Sequence, residues 1–443
     1  MPASLELSLN EMTKRASSSN VPSKKLYDFS MEKKKQKLVR IVTQSVPEGI
    51  LPKHYTAKLY DIKVGGKGPD DTIYNQNADI RKFIPRGTTL MSIDGINNGK
   101  NLDAVLYANR KFTGDIGDDD ESQPESNDIW RSYCLGNPDE AEKVVAMEKL
   151  NGEAAHFSGR FIDGKFYIIT GSKNVHMIIS CEVDIEKYEG VRYTNAKVIA
   201  RAVWKQLMQM QETNRLILFS LLHHTKCTVV CEILLPHNQH IVNLSNVKEP
   251  SLHVLSVTPT VSDKAEISLT ALPPHHCLEL ASALGFNVAP YQIIDRKDVD
   301  DFIQRSQNEI HKEGYVLYYL KSSNGYENTI GMAKTKTFWY VMLRALREKS
   351  VFAFNAAKKR NGWCLEDRIN STHKRFKEIQ IWLKFNNEHL TEWNILSEEF
   401  MNWLNGEINT SSEAGENIRP LFPMIWDRFL TNTGNQLMLY KAK

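Results

Sequence analysis

The chain has 443 residues, 41% of them hydrophobic, which is enough for two or three domains with substantial cores. Its 56 Lys and Arg against 53 Asp and Glu leave a formal charge of +3, so bulk charge calls for no polyanionic partner and any such partner must be met by a local patch. The six cysteines include no CxxC pair and fit a reducing compartment; with neither a signal-type apolar segment nor a run of roughly 18 apolar residues, the expected location is cytoplasmic or nuclear, with no membrane partner.

Residues 1–45 are polar and serine-rich, with the lysine cluster MEKKKQKLVR, and read as a disordered basic tail. From 46 to 344 the texture is α+β. Short β-branched and aromatic runs (TTLMSI, AHFSGRF, KFYIIT, TVVCEILL, GYVLYYL) are bounded by Gly, Pro, Asn and Asp, and Asp163-Gly164 is a two-residue hairpin signal. The stretch GDIGDDDESQPESND at 114–128 is acidic and poor in apolar residues, which predicts a mobile loop. Two segments, NAKVIARAVWKQLMQMQ and HHCLELASALGF, have helical spacing. Beyond KTKTFWYVMLRALREK no proline occurs between Pro290 and Pro420, so residues 345–443 read as an all-α domain whose tryptophans at 363, 382, 393 and 403 are spaced as core residues.

The chemistry concentrates around VVAMEKLNGEAAHF, where Lys149 precedes Asn151-Gly152 between two apolar runs. Alone this is a hairpin turn with an exposed lysine. A lysine nucleophile must shed its proton, which an ordinary pKa of about 10.4 opposes, so burial or neighbouring cations are expected to lower it. Lys334 and Lys336 alternate along a strand and so share a face, where they form either a solvated edge or a site for an anion such as a triphosphate. The pair HHTKCTVVC lacks zinc-site spacing and reads as buried cysteines.

Taken in order, Lys149-Leu-Asn-Gly, SKN at 172–174, the strand around Glu232, Glu313-Gly-Tyr-Val and Lys334-Thr-Lys336 resemble the motifs of the covalent nucleotidyltransferases, the superfamily of ATP-dependent ligases and mRNA-capping enzymes. Within it the chain looks most like RNA ligases of the phage RNA ligase 1 type and the ligase module of tRNA ligases. IPRGTTLM and YANRKFTG resemble the upstream segments of that group and add Arg86 and Lys111. The resemblance spans roughly residues 80–345 and implies a ligase-type nucleotidyltransferase fold of antiparallel sheets with helices, unrelated to ATP-grasp, over 46–344.

It further implies Lys149 as the nucleophile that carries AMP, with Glu148, Asn151, Gly152, Arg86, Lys111, Lys173, Glu232, Lys334 and Lys336 binding the nucleotide and Glu313 the metal. The cofactors would be ATP and Mg²⁺ (or Mn²⁺). The partner would be RNA bearing 5′-phosphate and 3′-hydroxyl ends, either already in place or made by separate end-healing enzymes, since no P-loop kinase or paired His-x-Thr/Ser phosphodiesterase motif is present. Asn151 departs from the aspartate of many relatives and resembles tRNA ligases. The alternatives are an inactive, ligase-derived RNA-binding protein and a capping-type guanylyltransferase; helices in place of an OB barrel after Lys336 weigh against the latter.

Overall fold

The structure, a computed structural model, describes residues 3–17, 23–66, 70–96, 99–114, 128–262, 266–357, 364–410 and 418–435. The acidic stretch at 114–128 lies outside the described residues except at its two ends, as does Trp363. No helix among the described residues is long and apolar enough to cross a membrane.

The expected basic tail is instead folded. Helix α1 (Ala3–Ser17) and helix α2 (Ser23–Lys35) lead into strand β1 (Val39–Ser45). Leu5, Leu9 and Met12 recur at four and three residues on α1, the spacing of one helical face; Leu5 and Met12 are buried, and Leu9 and Met12 join the largest core. Ser8 Oγ lies 2.7 Å from His276 Nδ1, fastening this helix to a segment 268 residues away. Leu26 of α2 packs into a second core.

Strands β1, β2 (Thr56–Val64), β3 (Thr88–Ile96) and β4 (Gly99–Tyr107) form an antiparallel meander. Helices α3 (Asp70–Gln76) and α4 (Ala78–Phe83) sit between β2 and β3 and bury Ile73, Tyr74 and Ile80 beside Leu26. The chain continues through β5 (Lys143–Glu148), β6 (Glu153–Ile162), β7 (Lys165–Ser172), β8 (His176–Ile179), α5 (Thr194–Gln209), α6 (Glu212–Thr225), β9 (Thr228–Leu234) and β10 (Ser251–Thr258). Next come α7 (Pro274–Ala283), β11 (Asn287–Val288), β12 (Tyr291–Asp295), α8 (Val299–Gln307), β13 (Gly314–Ser323) and β14 (Tyr326–Lys336).

These strands build two further sheets, a six-stranded one in the order β11-β10-β9-β6-β7-β8 and a four-stranded one in the order β12-β5-β13-β14. Every pairing is antiparallel except β10 with β11. The Asp163-Gly164 turn closes β6 onto β7 with φ of 48° and 76°, the doubly positive conformation that Asp-Gly favours.

Alternation along the strands decides what faces what. On β5, Val144 and Ala146 pack with Val299 and Phe302 of α8, whereas Val145 and Met147 pack with Leu278 of α7 on the opposite face. On β9, Val229, Cys231 and Ile233 join the core that contains Ile199 and Val203 of α5, so Glu232 between them projects from the other side. The two sheets therefore present a face each to a shared cleft.

The all-α region starts earlier than residue 345. Helix α9 (Phe338–Ala357) begins two residues after Lys336, because Thr337 Oγ1 accepts from the Tyr340 amide at 3.0 Å and satisfies a first-turn donor. Together with α10 (Leu365–Leu383), α11 (Asn387–Thr410) and α12 (Ile418–Thr433) it encloses a separate core around Phe376, Trp393, Phe400 and Trp426. Trp382 and Trp403 pack at its margin. The architecture is α+β with antiparallel sheets and a C-terminal helical region.

Candidate active site

Lys149 is not on a hairpin. Strand β5 ends in one sheet and β6 begins in the other, and residues 149–152 cross between them. The crossing is pinned at each step: Lys149 N donates to the Gly314 carbonyl at 2.8 Å and Gly152 N donates to Glu232 Oε1 at 3.0 Å. Gly152 is required for close approach, since a Cβ there would lie 2.3 Å from the Ile233 carbonyl oxygen.

Asn151 is the knot of this crossing. Its Nδ2 donates to Glu313 Oε2 at 2.6 Å, and its Oδ1 accepts from the amides of Ile241 and Val242 at 2.8 and 3.0 Å. Ile241 packs into the helical core, so Asn151 also ties the Lys149 loop to the C-terminal helices. An aspartate could serve the two amides but would set a second carboxylate against Glu313, which is a physical reason for asparagine at this position.

Lys149 Nζ is 2.8 Å from Glu313 Oε1, with the lysine side chain 26% exposed and the glutamate 5%. Burial opposes the charge on Lys149, but the Glu313 and Glu232 carboxylates outweigh it and hold the ammonium above the ordinary lysine range. That is the reverse of the expectation that neighbouring cations lower this lysine. Burial, resisted by Lys149 and reinforced by Glu313, pushes the Glu232 carboxyl up to about 7. Burial also works against the Glu313 charge, yet Lys149 and Lys336 beside it hold its carboxyl below the usual range.

Lys336 is buried and stands over the Tyr340 ring at 5.4 Å, so α9 supplies one wall. Lys334 and Lys336 do share a face of β14: they pair with Val316 and Gly314, and Val316 lies on the cleft side with Met147. Their surroundings differ, because the charge of Lys336 bears on Glu313 whereas that of Lys334 bears on Asp71 and Lys111.

The remaining cations gather around two aspartates. Arg86 Nη2 is 2.7 Å from Asp70 and 3.2 Å from Asp71, Lys173 Nζ is 3.3 Å from Asp70, and Lys111 ion-pairs with Asp71. Burial and the nearby Arg86 and Lys334 push the Lys111 amine down to about 8 despite Asp71. Burial likewise lowers Lys173, with Arg86 adding to the effect. Asp71 is disfavoured by burial, but Lys111 and Arg86 together hold it at about 2.

Thus Lys149, Asn151, Gly152, Glu232, Glu313 and Lys336 meet in one group and Arg86, Lys111, Lys173 and Lys334 in an adjoining one. The side chain of Glu148 joins neither: it alternates onto the opposite face of β5 and pairs with Lys312 at 3.2 Å. Sequence reasoning missed Asp70, Asp71 and Tyr340. The acidic pair is visible only as an ordinary helix start after Gly-Pro.

Among the described residues no group of three or more His, Cys, Asp or Glu assembles that could hold a metal ion by itself. Mg²⁺ commonly takes one or two protein carboxylates and completes its shell with water and substrate phosphates. Glu313, ionised and beside Lys149, fits an ion shared in that way with a triphosphate.

Two mutant forms of an RNA ligase from Naegleria gruberi, one with AMP and Mn and one with ATP and Mn, are similar at 11% and 12% identity; each comparison covers 69% of this chain and 98% of that one, with TM-scores of 0.33 and 0.31. No curated protein matches. A family described as a domain of unknown function (DUF7920) matches residues 61–347, well over half of the chain and including every residue of the two groups. The chain belongs to the DUF7920 family.

Proposed function

We propose that the chain is an ATP-dependent RNA ligase that joins 5′-phosphate and 3′-hydroxyl ends through a lysyl-AMP intermediate. The observation that carries this reading is the Lys149–Glu313 pair at the crossing between two sheets, with Glu232 and Lys336 around it and a cationic group next to it. The α+β region up to Lys336, with its N-terminal helices, then acts as the adenylyltransferase domain and the helical region that follows contacts RNA.

In the first step the Lys149 amine, having lost its proton, attacks the α-phosphorus of ATP; a P–N bond forms and the bond to pyrophosphate breaks. Arg86, Lys111, Lys173 and Lys334 offset the charge that builds on the departing pyrophosphate. Glu232 accepts from a ribose hydroxyl. Bound Mg²⁺ or Mn²⁺, held by Glu313 with phosphate oxygens, would supply charge neutralisation at the α-phosphate. AMP then passes to the RNA 5′-phosphate, and a 3′-hydroxyl displaces it to close the strand.

The resting arrangement has a consequence for the first step. Lys149 is an ammonium held by carboxylates, so nucleotide binding has to release its proton before attack. Incubation with α-labelled ATP followed by denaturation tests the proposal: covalent label on the wild type and none on Lys149→Ala is the expected result. Label that survives in Lys149→Ala, or none on the wild type, ends the ligase reading. Label from GTP but not ATP would favour a capping-type guanylyltransferase.

A further inference from the structure

Four cations from separate segments converge beside Lys149, and two carboxylates of one helix already fill the space between them. Arg86 precedes β3, Lys111 follows β4, Lys173 follows β7 and Lys334 is near the end of β14; Asp70 and Asp71 come from the first turn of α3. Each aspartate is doubly engaged, Asp70 by Arg86 and Lys173, Asp71 by Arg86 and Lys111. The geometry points to an internal competitor: the Asp70–Asp71 pair occupies the seat of an incoming polyphosphate, so that ATP must displace two carboxylates to bring its β- and γ-phosphates to these cations.

Three features of the site support this. Lys111 is almost wholly buried, and four cations brought together without counter-charge would repel one another, so the group needs an anion at all times. Carboxylate and phosphate oxygens use the same donors, and Arg86 meets the two carboxylates from one Nη2, as it would meet oxygens of one polyphosphate. Finally, α3 is anchored by Ile73 and by Tyr74, whose hydroxyl donates to the Ile84 carbonyl at 2.8 Å. The aspartates can therefore swing out by side-chain rotation while the helix stays in its core.

The competitor sets a threshold. An anion that offers a single phosphate to the cations gains little by exchange with two carboxylates, whereas a polyphosphate offers more charge at one site and wins. This would discourage occupation by AMP or inorganic phosphate and reserve the seat for ATP or pyrophosphate. The role assigned to ATP rests on the ligase reading, but the competition itself does not.

The test is equilibrium binding of inorganic tripolyphosphate to the full chain by titration calorimetry. Asp70→Asn/Asp71→Asn should bind at least tenfold more tightly than wild type, and the charge-conserving Asp70→Glu/Asp71→Glu should not. Thermal unfolding supplies the reciprocal reading: without anion the double Asn variant melts below wild type, and tripolyphosphate raises its midpoint by more. If the double variant does not fold, Asp70→Asn and Asp71→Asn are titrated singly, and tighter binding by either supports the competitor. Equal or weaker binding by the Asn variants overturns it, since the aspartates would then only order the cations. Because tripolyphosphate reads the seat without adenylylation, absence of lysyl-AMP would sink the ligase reading and leave this result standing; normal labelling with unchanged tripolyphosphate affinity would do the opposite.

Discussion

Lys149 and Lys111 are amines of one cleft, and their surroundings drive them in opposite directions. Burial disfavours both charges. At Lys149 two carboxylates, Glu313 and Glu232, more than reverse that and raise the amine; at Lys111 the single Asp71 does not offset burial, Arg86 and Lys334, and the amine falls to about 8. The difference teaches that the sign of the local charge excess, more than depth, sets the state of each lysine.

The contrast can be broken in three places. The largest effect is expected for Lys149→Arg, which keeps a cation opposite Glu313 but removes the amine: label from α-labelled ATP should vanish completely while the urea midpoint stays near wild type. Retained label would move the nucleophile elsewhere. Asn151→Asp comes next, since it replaces the donor 2.6 Å from Glu313 with a second carboxylate. Urea denaturation at pH 7 should show a loss of about 2 kcal/mol. That loss should shrink toward pH 5, because the like-charged pair raises its own pKa and protonates there. An unchanged midpoint would mean that the Asn151–Glu313 bond contributes nothing.

The smallest effect sharpens the Lys111 half. Its amine is charged below about 8 and neutral above, so tripolyphosphate affinity should fall severalfold as pH rises from 7 to 9. Asp71 beside it, held at about 2, stays ionised throughout. Lys111→Arg should flatten the profile; an equally steep profile in that variant would assign the titration to another group.

Much of this was legible in the residues, and the reasons are local. Runs such as TVVCEILL and GYVLYYL became β9 and β13 because β-branched and aromatic side chains suit a strand buried on both faces, and Asp163-Gly164 closed its hairpin through backbone angles that the two residues themselves prefer. The N-terminal helices escaped notice because Leu5, Leu9 and Met12 are diluted among Ser, Asn and Lys; only the surfaces they dock on make the stripe count. Thr337 as the cap of α9 was a signal that could have been read, eight residues before the boundary drawn at 345.

By itself the sequence singled out residues that the fold brings together: a lysine before Asn-Gly, carboxylates at 232 and 313, and two lysines alternating on a strand. It also determined the strand periods that set each of these on a face. Tertiary structure alone decided that Asn151-Gly152 crosses between sheets, that Glu148 turns away from Lys149, and that Asp70 and Asp71 sit among cations up to 263 residues distant along the chain. Backbone preference acts over a few residues, whereas strand pairing and ion pairing depend on which distant segments meet. Which lysine in this cleft is raised and which is lowered is therefore a property of the fold.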